Sequence, residues 1–144
     1  MIFSEITSSG AIPVLEASMR FAARRQAIIA GNIANIETPD YRPMDVSVDG
    51  FRRTLAQAVA MRRSAGGNGE ISLQSTREVQ TLPDGTMTLH PGTASPGVLF
   101  HDRNNRSLEK LMQDSVENVG AFRVASDFLR TRYDLLKMAI AQRV

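Results

Sequence analysis

The sequence predicts a mainly α-helical protein whose long first and last helices pack as a coiled coil, with a shorter helix and a variable loop or β-hairpin between them. Three observations carry this expectation. Apolar residues from Ile12 to Ile36 recur at alternating steps of three and four, and a second such series runs from Leu108 to Ile140. Between the two, Gly, Pro and Ser/Thr fall where helices end and turns begin.

Residues 1–10 (MIFSEITSSG) are short, mixed and Ser/Thr-rich, and are expected to be poorly ordered unless a partner holds them. A helix is expected over 11–36. Its seam is Ile12, Leu15, Met19, Ala22, Gln26, Ile29, Ile33 and Ile36. Pro13 falls in the first turn, where a missing N–H costs nothing. Gln26 is the one polar seam residue, a type that sets register. Thr38-Pro39 then stops the helix, because proline lacks a donor and drives the preceding residue out of the α region. The end should therefore lie near Ile36 or Glu37.

Met44 to Asp49 alternates weakly and reads as an extended connector. Asp49 is a candidate cap for a second helix from about Gly50 to Arg63, with Phe51, Leu55, Ala58 and Val59 on one face. Ser64-Ala-Gly-Gly-Asn-Gly69 reads as a linker. Glu78–Leu82 and Met87–His90 flank Pro83-Asp84-Gly85-Thr86, a turn sequence between two short strand-like runs, so a hairpin or a mobile arm is expected. Residues 91–97 read as a loop and 98–100 as one more short strand.

Ser107 is a candidate N-cap for the last helix, expected from Leu108 to Gln142. Its seam is Leu108, Met112, Ser115, Val119, Phe122, Ser126, Leu129, Tyr133, Leu136 and Ile140, with no proline in the span. At 1.5 Å per residue such a helix is about 50 Å long. The chain thus divides into an end segment (1–10), a helix–turn–helix part (11–63), a variable middle (64–106) and a terminal helix (107–144).

Composition excludes several classes. Fifteen Arg and two Lys stand against 15 acids, for a formal charge of only +2, and the Arg24-Arg25, Arg52-Arg53 and Arg62-Arg63 pairs are scattered. No basic stripe with stacking aromatics appears, so nucleic acid is not an expected partner; solvated helix faces and inter-subunit salt bridges are. There is no cysteine for a disulfide or thiolate site. No apolar run reaches the ~18 residues of a membrane span. The first ten residues lack the basic and apolar regions of a cleaved signal, so the chain is expected in the cytoplasm or to leave it by another route.

No catalytic constellation is found. Ser107-Leu-Glu-Lys110 matches S-x-x-K but lacks the S-D-N and K-T-G companions of an acyl-transfer site, and Ser107 reads as a cap. His90 and His101 lie alone in loop-like segments without further ligands. The expectation is therefore a non-enzyme with no metal, no cofactor and no small-molecule substrate.

The stretch Asn32-Ile-Ala-Asn-Ile-Glu-Thr-Pro-Asp-Tyr-Arg42 resembles the N-I-A-N-x-x-T-P-G-Y signature of the bacterial flagellar rod, hook and hook-associated proteins. That family carries assembly helices at both chain ends around a variable middle, which is also the layout read from the residues. The likeness covers roughly 11–50 and 104–141, and the short length and the C-terminal run point to the proximal-rod members. One residue departs from the signature: Asp40 stands where the family usually has Gly. Glycine would supply the positive φ of a type II turn, whereas Asp costs roughly 1 kcal/mol there or shifts the turn to type I.

The resemblance implies a structural subunit of the flagellar basal body, located at the rod in the periplasmic space. It would be exported through the flagellar type III apparatus without a cleaved signal peptide. Implied partners are other copies of itself, neighbouring rod proteins, and the basal-body ring and export-gate proteins. The candidate assembly residues are Leu15, Met19, Ile29, Asn32, Ile33, Asn35, Ile36, Thr38, Pro39, Tyr41, Leu108, Met112, Val119, Phe122, Leu129, Tyr133, Leu136 and Ile140. Asn32 and Asn35 either stitch the helix end to neighbouring chains or cap it within one chain; Tyr41 is either a packed turn aromatic or an intersubunit contact.

The residues themselves also argue for assembly. The last seam is longer than the first and leaves apolar surface that one chain cannot cover. Repeated head-to-tail contacts between such ends build an open array. A soluble coiled-coil adaptor is the alternative of a different class, and would form a closed dimer.

Overall fold

The computed structural model describes residues 10–66, 71–82, 84–94 and 108–141. Helix α1 spans Ile12–Ala34, strand β1 Met44–Asp45, helix α2 Val48–Ser64, strand β2 Val79–Thr81, strand β3 Met87–Leu89, strand β4 Thr93–Ala94 and helix α3 Leu108–Ala141. The expected mainly α architecture is observed, with the two long helices packed along each other and small antiparallel strand pairs in the middle.

Helix α1 has Pro near its start and stops slightly before the expected point, with Asn35 as its C-cap. It is buried on two sides. Ala17 and Phe21 join Val46, Phe51, Val79 and Met87 in a small core between α1, α2 and the hairpin. The rings of Phe21 and Phe51 stack with centroids 4.0 Å apart. Ile29, 1% exposed, is the most deeply buried large side chain among the described residues.

Helix α2 starts earlier than expected, and its cap is Ser47 rather than Asp49. The Ser47 hydroxyl accepts from the Gly50 amide at 3.0 Å. Asp49 sits in the first turn, where a carboxylate favours the helix dipole. The Glu78 carboxylate accepts from the Ser47 amide at 2.8 Å and ties the hairpin to this helix start.

Of the two alternatives for the middle, a hairpin is what forms. β2 and β3 pair antiparallel, Val79 opposite Leu89 and Thr81 opposite Met87. Gly85 takes the left-handed conformation the turn requires (φ 79°). The hairpin is held because Val79 and Met87 lie in the core, which supplies what two strands alone lack. The connector reading of Met44–Asp49 needs correcting: Met44 and Asp45 form β1, paired antiparallel with Ala94 and Thr93 of β4. The loop reading of 91–97 is likewise corrected at Thr93–Ala94, while the expected strand at 98–100 and the Ser107 cap fall outside the described residues.

Helix α3 runs antiparallel to α1, with Ser115 and Asn118 beside Gln26 and Tyr133 beside Glu16. Its inward face is rotated from the expected seam. Leu111, Asn118 and Ala125 are the buried row, with Ser115, Phe122 and Leu129 half-buried next to it. Leu108 and Met112 face outward instead. Hydrogen bonding explains the rotation: the Asn118 side-chain amide donates to the Ala22 carbonyl at 2.8 Å and to Gln26 Oε1 at 2.9 Å. Gln26 in turn donates to Ser115 Oγ at 2.8 Å. These paired polar groups fix one register between the helices, the role expected of Gln26.

Candidate functional site

The turn after α1 folds the chain back along the helix, and the signature residues do this locally. Asn32 is 2% exposed. Its amide donates to the Met44 carbonyl at 2.8 Å, and its oxygen accepts from the Tyr41 hydroxyl at 2.8 Å. Asn35 donates to the Gly31 carbonyl at 2.8 Å, and the Thr38 hydroxyl donates to Asn35 Oδ1 at 3.4 Å. Both amides thus cap and clamp the turn inside one chain, and Tyr41 is a packed turn aromatic. Removing the Asn32 side chain leaves a half-buried tyrosine hydroxyl and the Met44 carbonyl without their partner. Asn32→Ala is expected to cost about 1–3 kcal/mol in denaturant unfolding.

Asp40 settles the turn geometry. Its φ is 58°, and the Tyr41 amide bonds the Thr38 carbonyl at 3.3 Å. With Pro39 before it, this is the type II arrangement, so the chain keeps the glycine-type turn with an aspartate in the left-handed region. Asp40→Gly is therefore expected to stabilise the protein by up to about 1 kcal/mol, read as a raised denaturation midpoint at unchanged slope.

The clamp continues into β1. Arg25 Nε lies 3.0 Å from both carboxylate oxygens of Asp45, and Nη2 adds a further contact. The side chains are 10% and 16% exposed. Asp45 also accepts from the Val46 amide at 2.8 Å. Sequence reasoning missed this pair and placed Arg25 among solvated or intersubunit arginines. No local spacing links it to Asp45, which lies beyond the turn; the weak alternation there gave no sign of a buried acid.

Farther along the helix pair, the Tyr133 hydroxyl donates to Glu16 at 3.1 Å. Burial first, then the Glu16 hydrogen bond and charge, raise Tyr133 above its ordinary 10.0. A raised folded-state value favours the protonated form, so this contribution is full below pH 10 and lost as the phenol ionises. Tyr133→Phe is expected to remove that alkaline loss in melts followed from neutral to high pH.

The remaining candidate residues fall into three groups. Leu15, Met19, Ile33, Ile36, Val119, Phe122, Leu129 and Leu136 are half-buried, as are Asn35, Tyr41 and Tyr133. Ile29 and Asn32 are enclosed within the chain. Thr38, Pro39, Leu108, Met112 and Ile140 are exposed. The structure thus brings the signature residues together as an internal clamp and leaves other apolar side chains outside. Large ones not singled out from sequence also lie open on α3: Val116 is 72% and Phe128 60% exposed, with Val124, Leu135 and Met138 alongside.

Among the described residues no cluster of His, Cys, Asp and Glu could hold a metal ion, and no described helix is long and apolar enough to cross a membrane. Lys110 of the S-x-x-K match pairs with Asp114 one turn on, at 3.2 Å. His90 is exposed.

No protein-family model matches the chain. Over 70 residues it is 30% identical to the flagellar basal body rod protein FlgB of Yersinia enterocolitica, a stretch covering 49% of this chain and 49% of that protein. The match therefore spans about half the length of that relative. Over that half, the similarity is to a flagellar rod protein.

Proposed function

We propose that this chain is a structural, non-enzymatic subunit of the flagellar rod at its proximal end, of the FlgB kind. It assembles with further copies and with neighbouring rod proteins through its terminal helices, next to the basal-body ring and export-gate proteins. In this reading it reaches the periplasmic space through the flagellar type III apparatus and serves mechanically, passing torque along the rod. Asn32, Asn35, Thr38, Pro39 and Tyr41 shape the end of α1 for assembly rather than touching a neighbour through their amides. Leu108, Met112 and Ile140 offer apolar contacts.

The observation that carries this reading is the row of large apolar side chains left open along α3 after α1 has covered its other face. A helix apolar on both faces belongs inside a larger body. Patches of this kind mark protein contacts. The partial likeness to FlgB says which assembly fits. Deleting the gene and examining cells by electron microscopy is the test. Cells without filaments or rods, restored by the wild-type gene, are expected; normal flagella in the deletion strain would refute the role.

A further inference from the structure

We infer that the second half of α3 docks on a two-helix platform at the turn end of the next copy. The contact joins unlike surfaces, so each copy keeps a free surface on either side and the contact repeats. Both long helices build the platform. Gln26 bonds Ser115 at 2.8 Å, so the flank of α1 beside Gln26 and the flank of α3 beside Ser115 face the same way. Ala30 and Ala34 follow Gln26 at helical spacing with Ala27 next to them, and Met112 and Leu108 precede Ser115 in the same manner. All five are exposed. No charged residue occurs between Gln26 and Ile36, whereas the water-facing side of a helix ordinarily carries charge. The alanines are small, so a second helix can lie close. The hairpin packs on the other side of α1, through Ala17 and Phe21.

The row that enters the platform is Val124, Phe128, Leu135 and Met138, all exposed on α3. Because α3 runs antiparallel to α1, this half of α3 lies toward Glu16 at the start of α1, at the far end from Ala30 and Ala34. One chain cannot bring its own row to its own platform. The occupant is a second copy.

Charge supports that occupant and sets the offset. From Ala121 to Ala141, α3 carries Arg123, Arg130, Arg132 and Lys137 against Asp127 and Asp134, all exposed. The turn end carries Glu37, Asp40, Glu109 and Glu117 against Arg42, also exposed, and Lys110 there pairs with Asp114. Each copy is thus basic at one end of its helix pair and acidic at the other. Level packing sets like ends side by side. An axial offset of about half of α3, roughly 25 Å at 1.5 Å per residue, sets unlike ends together. The inference rests on the subunit reading, which requires neighbouring copies to keep one polarity. Under that condition the offset contact propagates without closing. Each contact is short, so it is weak alone and gains strength in an array.

The native chain has no cysteine, so introduced ones report cleanly. Ala30→Cys and Met138→Cys are made in separate chains, mixed and oxidised at high protein concentration. The 30–138 disulfide should form several-fold faster than either like-with-like product. It should also outpace Met138→Cys mixed with Gln57→Cys, an exposed control on α2. Adding Glu37→Lys and Glu109→Lys to the Ala30→Cys chain should slow the 30–138 cross-link several-fold. A chain carrying both cysteines should yield a ladder of trimers and longer products. Dominant 30–30 or 138–138 disulfides, a rate no higher than the control, or an unchanged rate in the charge variant would overturn the inference. So would a double-cysteine product that stops at a dimer, the mark of two flipped copies closing on each other. None of these results touches the subunit reading, which stands or falls on the deletion strain.

Discussion

Phe128→Asp is expected to leave the folded monomer intact and abolish assembly. Phe128 is 60% exposed on the outer face of α3, so the monomer loses little by the change. Substitutions at such positions typically stay within about 0.5 kcal/mol. In a dry interhelical seam the same carboxylate is desolvated without a partner, a cost of several kcal/mol at each contact. Thermal melts of the purified variant should overlay those of the wild type, while cells carrying it should lack rods and not swim. Motile cells with normal flagella would show that this face is not used. Leu129→Asp is the instructive contrast. Leu129 is half-buried on the inward side, so that change should weaken the monomer itself.

Asp45→Ala carries the largest expected stability cost. It strips the partner from Arg25, leaving a guanidinium of α1 buried without its counter-charge, and breaking such a pair costs about 3–5 kcal/mol. Replacing both residues with apolar ones of similar volume should recover most of that loss, because the desolvation cost of both charges disappears together. Urea unfolding of Asp45→Ala and of an Arg25→Met/Asp45→Leu double variant separates the two contributions. If Asp45→Ala unfolds at the wild-type midpoint, the pair does not anchor β1 to the helix.

The two long helices were legible because their alternating three-and-four spacing runs over many turns. Their ends were placed within a few residues: Pro39 announced the stop of α1, although Asn35 already caps it. The rotational setting of α3 was harder to read. Its sequence offers two interleaved apolar rows, and spacing alone cannot tell which one meets α1. Asn118 decides it, and a polar residue at the heart of a seam is what an apolar count passes over.

Strands β1 and β4 were missed because two-residue pairings carry no period, and their partners lie on either side of the α2–hairpin unit. The signature residues were found as a group from resemblance. That their amides clamp the turn within one chain became visible only with Met44 and Tyr41 in place. Uncovered apolar surface was expected from a last seam longer than the first; that it includes Val124, Phe128, Leu135 and Met138, outside that seam, depended on the rotation.

The central claim is that α3 is apolar on a face which only other chains cover. Hydroxyl-radical footprinting of the wild-type chain tests it without mutation, since Met112, Phe128 and Met138 are oxidisable side chains on that helix's exposed surface. All three should be oxidised readily in dilute monomer and fall to background in purified basal bodies. Equal oxidation in the two states would contradict the claim.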